Sequence, residues 1–160
     1  MNEIFERLLK FSSTILKLNG PVTDDRIDRF ENKYEITLPE DFKTFIKKYN
    51  GINMMGTEVY GFNSEIPASI ENVYDYEHFH VAVPQFKCLV PFSPDGGGNF
   101  YCICSDIKSK NFGKILFWVS NYQYANNDLP EVVNDTFEEW INEVIIDWTL
   151  EDFNYDGTEK

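Results

Sequence analysis

The chain has 160 residues, a length typical of a single domain, and 42% of them are hydrophobic, enough to form a buried core. It carries 27 acidic and 14 basic residues, a formal net charge of −13, and it lacks the Lys and Arg clusters that bind phosphates, which argues against nucleic-acid binding. No apolar run reaches the roughly 18 residues of a membrane span, charged residues interrupt the first ten positions, and three cysteines fit reduced thiols, so we expect a cytoplasmic protein with no membrane association.

The first part of the chain has the spacing of helices. An apolar stripe from Ile4 to Leu16 predicts one helix that ends at Asn19-Gly20-Pro21. Thr23 is typical of an N-cap, and the residues after it predict a second helix with one apolar face. We expect both faces to pack in the core.

Residues 38–51 carry the start and stop signals of a third helix. Pro39 suits a first helical turn, and Gly51 suits the left-handed conformation that follows many helices. Acidic residues lie near the predicted N-terminus and lysines near the C-terminus, as the helix dipole favours. One face carries four large apolar residues at helical spacing, and these must be buried: Phe42, Phe45, Ile46 and Tyr49.

The middle of the chain has the composition of strands. Short runs rich in β-branched and aromatic residues predict strands at 57–62, 80–83, 88–92, 100–104 and 115–119. Most connections are too short for crossover helices, so neighbouring strands should pair antiparallel, while 67–76 predicts a short helix. The expected fold class is α+β, a single domain with a mostly antiparallel central sheet, N-terminal helices and a long C-terminal helix packed on the sheet.

Three features of the sequence resemble chemical sites. Asp95-Gly96-Gly97-Gly98-Asn99 resembles a phosphate loop, but a strand follows it and no Lys-Ser or Lys-Thr does, so a hairpin turn fits better. Cys102 and Cys104 should share one side of a strand, yet the remaining candidates, Cys88, His78 and His80, match no zinc spacing. No nucleophile motif accompanies the histidines. The sequence therefore predicts no metal, no cofactor and no enzymatic activity.

Charge is distributed unevenly along the chain. Residues 128–160 contain eleven acidic residues against one lysine, so most of the net charge lies in the last fifth of the sequence. The same segment predicts the longest helix, with Thr136 and Glu139 as a capping box and an apolar stripe from Phe137 to Trp148.

The opposite face of this helix carries acids four residues apart, where like charges repel by a few tenths of a kcal/mol per pair. Solubility is one explanation for them. The other is a docking surface for a basic partner, with exposed aromatic residues such as Tyr122, Tyr124, Phe153 and Tyr155 as anchors. The partner-binding residues that this second explanation predicts are Glu139, Glu143, Asp147, Glu151 and Asp152.

Three segments resemble, in matching order, the SUKH superfamily, a group named after a fungal regulator of cell-wall synthesis and populated mostly by bacterial immunity proteins. The first comprises Leu38-Pro39, Asp41-Phe42-Lys43, Phe45-Ile46 and Lys48-Tyr49-Asn50-Gly51. The second comprises Leu89-Val90-Pro91-Phe92, Asp95-Gly96-Gly97-Gly98-Asn99-Phe100-Tyr101-Cys102 and Asp106, and the third is Thr136-Phe137-Glu138-Glu139-Trp140-Ile141. The resemblance implies structural roles for Leu38, Pro39, Phe42, Tyr49, Gly51, Asp95, Gly96, Gly97 and Gly98.

The resemblance also implies a function. We expect one SUKH-like domain over 1–160, with an N-terminal helix and linker (1–22), a core (23–150) and an acidic tail (151–160). It implies an immunity protein that binds and neutralises a cognate polymorphic toxin by occlusion. The acidic C-terminal segment adds that this toxin should be basic, a nuclease being one candidate. The alternative is a non-enzymatic regulatory or scaffold module that binds another protein.

Overall fold

Two antiparallel sheets and the helices around them make up the structure, a computed structural model that describes residues 1–125 and 128–160. The first four helices are α1 (Asn2–Leu8), α2 (Asp24–Tyr34), α3 (Glu40–Lys48) and α4 (Ile70–Phe79). The C-terminal helix is continuous and consists of α5 (Phe137–Trp140), a π-helical segment (Ile141–Asp147) and α6 (Trp148–Asp152). In the described ranges no helix is both long and apolar enough to cross a membrane.

The strands form one sheet of three and one of four. The first has the order β1 (Leu16–Leu18), β2 (Ile52–Met54), β3 (Thr57–Val59), and the second has the order β4 (Leu89–Pro94), β5 (Phe100–Cys104), β6 (Ile115–Trp118), β7 (Glu131–Asn134). The Tyr60 N–H donates to the Phe92 carbonyl at 2.7 Å and so connects the end of β3 to β4. The predicted α+β class is confirmed, although the sheet is divided in two.

The predicted first helix is too long, and a different local structure takes its second half. Helix α1 ends at Leu8, and Leu16 belongs to β1. Between them the Ser12 hydroxyl accepts from the Thr14 N–H at 3.2 Å. This kind of local side-chain bond competes with helical hydrogen bonds and favours a turn.

The prediction of a strand at 80–83 is also wrong, because α4 lies three residues later than expected. The Ser69 hydroxyl accepts from the Asn72 N–H at 3.3 Å and caps α4, so the helix begins at Ile70. It ends at Phe79 and leaves no room for a strand that begins at residue 80. The segment that follows returns along the helix, where the Gln85 N–H donates to the Glu77 carbonyl at 2.9 Å. It therefore pairs with α4 rather than with a strand.

Phe42, Phe45 and Ile46 of α3 are buried, as their spacing predicts, whereas Tyr49 follows the helix and is only half-buried. The rings of Phe42 and Phe45 lie 4.9 and 5.2 Å from that of Phe137, the first residue of the C-terminal helix. Phe92 of β4 lies 5.4 Å from the same ring. These four phenylalanine side chains are fully buried. Edge-to-face pairs of this kind contribute about 0.5–1.5 kcal/mol each beyond burial.

Asp41 joins α3 to the C-terminal helix by hydrogen bonds. Its Oδ2 accepts from the backbone N–H groups of Phe137 and Glu138 at 2.9 and 3.2 Å. These donors belong to the first turn of the helix, where no intrahelical acceptor exists. The sequence predicted only that Asp41 suits the dipole of its own helix.

Gly51 is needed because the chain passes close to another segment. Its φ of +88° lies in the left-handed region, and a Cβ atom here would lie 2.7 Å from the Val59 carbonyl oxygen. The neighbouring Asn50 side chain brackets Phe62, accepting from its N–H at 2.6 Å and donating to its carbonyl at 3.0 Å. This junction holds the end of α3 against the first sheet.

The glycine-rich segment is the hairpin between β4 and β5. Asp95 Oδ1 accepts from the backbone N–H groups of Gly97 and Asn99 at 2.7 and 2.9 Å, and Gly96 and Gly98 have φ values of +80° and +94°. Burial raises the pKa of Asp95, but the hydrogen bonds from Asn99 and Gly97 outweigh it and lower the pKa. The N–H groups of Gly97 and Asn99 are thus used within the turn, which argues against the phosphate-loop alternative.

Replacing Gly51 with Ala should destabilise the protein more than replacing Gly56 with Ala. Both glycines have positive φ, which costs an alanine about 1–3 kcal/mol, but no atom of the described residues lies within 4 Å of a Cβ at position 56. Urea unfolding of the two variants measures the difference. Equal losses would contradict the close approach of Gly51 to Val59.

Asp41→Ala should lower the free energy of unfolding by about 1–2 kcal/mol, because two N–H groups of the C-terminal helix lose their acceptor. Glu40→Ala is the matched control, since Glu40 is an exposed neighbour that pairs with Lys43 at the surface and its loss should cost less than about 0.5 kcal/mol. Urea unfolding monitored by circular dichroism compares the two. A loss at Asp41 no larger than at Glu40 would exclude this capping role.

Candidate partner-binding surface

The predicted capping box begins the C-terminal helix. The Thr136 hydroxyl accepts from the Glu139 N–H at 3.1 Å, and Glu139 Oε2 accepts from the Asp135 N–H at 3.0 Å. Asp41 and Thr136 thus satisfy the N–H groups of the first helical turn, whereas the Glu139 carboxylate binds the N–H of the residue before the N-cap. The first of the predicted partner-binding residues, Glu139, therefore also holds the helix start.

The buried side of the helix differs from the predicted stripe at its far end. Ile145 and Ile146 are fully buried, whereas Trp148, predicted to be in the core, is 49% exposed. The π-helical segment has more residues per turn than an α-helix, so it rotates later positions relative to the core. Ile146 thereby takes the buried place and Trp148 turns outward.

The same segment affects how the acids line up. In an α-helix a turn takes 3.6 residues, so residues four apart are slightly more than one turn apart, and each is rotated forward around the helix axis from the one before it. A π-helix has more residues per turn, so residues four apart are there rotated backward. Glu139, Glu143, Asp147 and Glu151 are all exposed, and the two drifts partly cancel along them, so the row stays nearly straight.

The two middle acids of this row have partners inside the molecule. The Asn134 side chain donates to Glu143 Oε2 at 2.7 Å. Asp147 forms an ion pair with Arg7 of α1 at 2.6 Å and accepts from the Asn142 side chain at 2.9 Å. A base therefore relieves the repulsion at Asp147, and it comes from a helix distant in sequence.

The last two acids stand beside the exposed tryptophan. Glu151 and Asp152 are exposed and follow Trp148 by three and four residues, which places them next to it on the helix surface. Within the part of the chain that the structure describes, neither carboxylate has a hydrogen-bond or ion-pair partner. We call Glu139, Glu143, Asp147, Glu151 and Asp152, together with Trp148, the acidic surface.

Most of the aromatic anchors proposed from the sequence support the fold instead. Tyr124 stacks on Trp118 with ring centroids 4.6 Å apart, and its hydroxyl accepts from the Val119 N–H. Tyr155 packs on Phe11 at 4.7 Å, and Phe153 is half-buried. Tyr122 is exposed. The sequence missed Trp148, whose position between acidic residues near the helix end was the available signal.

The two histidines do not form a catalytic pair. His78 is buried, stacks on Tyr74 at 3.8 Å, and places its ring nitrogens 2.7 and 3.1 Å from the carbonyls of Tyr74 and Phe86. Burial lowers the pKa of His78, against the effect of these carbonyls. His80 is exposed and contacts Asp75 at 3.0 Å. Their environments are those of structural residues.

The cysteines belong to a second, smaller core. Cys102 and Cys104 are buried with Leu89, Leu116 and Trp118 on one side of the four-stranded sheet, as their spacing predicts. All three thiols of the chain are free. Among the described residues, no group of His, Cys, Asp and Glu side chains has the arrangement of a metal site.

Comparisons with known proteins agree with this architecture. The model of the SMI1/KNR4 family (SUKH-1) matches residues 21–143. A crystal structure of a protein from Pseudomonas syringae pv. tomato has a TM-score of 0.66 and 18% identity, covering 92% of this chain and 99% of that chain. This likeness shows the fold alone. No protein with curated annotation matches the sequence.

Trp148 should dominate the quenchable fluorescence, because Trp118 and Trp140 are buried. Relative to free N-acetyltryptophanamide, quenching by caesium ions should be enhanced and quenching by iodide reduced, since the carboxylates around Trp148 attract cations and repel anions. Trp148→Phe should remove most of this quenching, whereas a buried Trp148 would leave it unchanged. Quenching by the two ions in the same proportion as for the free compound would contradict the acidic environment.

Proposed function

Because the chain belongs to the SMI1/KNR4 family (SUKH-1), which includes toxin immunity proteins, we propose that it binds and neutralises a cognate polymorphic toxin in the cytoplasm. Neutralisation occurs by occlusion: the protein covers a surface that the toxin needs and performs no chemistry itself. The acidic surface on the C-terminal helix is the observation that supports contact with the toxin at this site.

The electrostatics of this surface favour a basic partner. Clustered carboxylates create a negative field that speeds encounter with a positively charged protein and orients it. Glu151 and Asp152 have no ion-pair partner among the described residues, so a partner's Lys or Arg would meet them without displacing an existing contact. Nuclease toxins fit this chemistry, because they use basic residues to hold phosphates.

Trp148 gives the surface an apolar centre. Tryptophan is enriched among the residues that contribute most to binding, typically at the middle of an interface and surrounded by polar groups. Here the indole is half-exposed, with acids before and after it along the helix. We expect Trp148 to insert between apolar parts of the toxin while the carboxylates pair with surrounding bases.

Reversing Glu151 and Asp152 to Lys should weaken toxin binding by about tenfold or more and flatten its salt dependence, because attraction becomes repulsion. Asp25→Lys with Asp28→Lys is the matched control, since it changes the net charge equally on the exposed face of α2. Binding of the toxin domain encoded beside this protein would be measured by calorimetry at low and high salt, alongside rescue of cells that express the toxin.

The outcomes separate the function from its location. If the wild-type protein and both double variants bind the toxin equally well, the contact lies elsewhere and the immunity function is retained. If no complex forms and no cells are rescued, the immunity proposal fails, and a regulatory or scaffold module becomes the better explanation.

A further inference from the structure

A cavity of about 580 Å³ lies between α4, the loop that precedes it and the start of β5. The loop is fixed to the helix by the Asn72 side chain, which donates to the carbonyls of Ser64 and Ile66 at 3.0 and 2.7 Å. Ser69 caps the same helix. The walls are therefore held in place before any ligand arrives.

A carboxylate without a partner lines this cavity. Glu77 is only 8% exposed, and acidic side chains are almost never buried to this degree unless they are paired. Within residues 1–125 and 128–160, no donor or base contacts its carboxylate. Burial alone accounts for the raised pKa of Glu77, which agrees with the lack of a partner.

The other walls are apolar and aromatic. Tyr76, Val73 and Pro67 line the cavity from the side of α4 and its loop, and Phe100 lines it from β5. Glu65 adds a second, exposed carboxylate. From this geometry we propose that the cavity, here called the Glu77 pocket, binds an arginine side chain presented by a protein partner.

The chemistry of the Glu77 pocket favours arginine over lysine. A guanidinium is planar, stacks on aromatic rings, and donates two parallel hydrogen bonds to one carboxylate. It is also more weakly hydrated than an ammonium group, so it loses less on entering a pocket with apolar walls. Tyr76 and Phe100 supply the rings, and Glu77 supplies the acceptor.

The Glu77 pocket is separate from the acidic surface. Neighbouring residues of a strand face opposite sides of the sheet. Tyr101 of β5 packs on Trp140 of the C-terminal helix at 5.2 Å, whereas Phe100 faces the side of the second core. The two surfaces therefore lie on opposite faces of the four-stranded sheet, and arginine binding does not depend on the proposed function.

The test titrates Nα-acetyl-L-arginine amide into the ¹⁵N-labelled full chain. We expect saturable chemical-shift changes at Val73, Tyr76, Glu77 and Phe100, and at least about tenfold weaker binding by Glu77→Gln, which keeps the shape and removes the charge. Asp28→Asn is the matched control and should bind as the wild type does. A thermal melt checks that Glu77→Gln is folded.

Three further probes can overturn the proposal. The citrulline analogue, which has the same shape without the charge, should not bind, and the lysine analogue should bind more weakly than the arginine one. Equal binding of either analogue, or of Glu77→Gln, would refute the proposal. So would no saturable shift with the arginine probe, or tighter binding of free L-arginine, which would indicate a small-molecule site.

Discussion

The packing around Phe137 is the interaction on which the rest of the structure depends. Rings from α3 and β4 surround this residue, and Asp41 binds the backbone at the same point, so the helix start is fixed by both apolar and polar contacts. Burying one phenylalanine contributes about 1.5–3 kcal/mol. Two elements distant in sequence thereby set where the C-terminal helix begins and which way it points.

That anchored helix can carry acids that a free helix would not tolerate well. The repulsion along the row is a few tenths of a kcal/mol per pair, small beside the burial of its opposite face. Arg7 and Asn134 further relieve the two middle acids. The repulsion that remains is concentrated at Glu151 and Asp152, at the end of the helix, where a basic partner would remove it on binding.

Local signals predicted those parts of the fold that depend on local chemistry. The face of α3, the hairpin at Asp95 and the capping box at Thr136 follow from residue types at short spacing, and the structure contains all three. The Asp41 cap and the Arg7 ion pair join residues about a hundred positions or more apart, which no local pattern encodes. The exposure of Trp148 was missed because a 3.6-residue period was assumed through a π-helical segment.

The acidic surface and the Glu77 pocket use negative charge in different ways. Exposed carboxylates act through a long-range field that salt weakens, so the role we propose for the acidic surface is in encounter and orientation. A buried carboxylate acts at contact range and is screened much less, so the role we propose for the Glu77 pocket is to select the shape of the cation that enters it. The family match ends at residue 143, before Trp148, Glu151 and Asp152. Family membership therefore supports the class of function, whereas the choice of partner must rest on the residues of this chain.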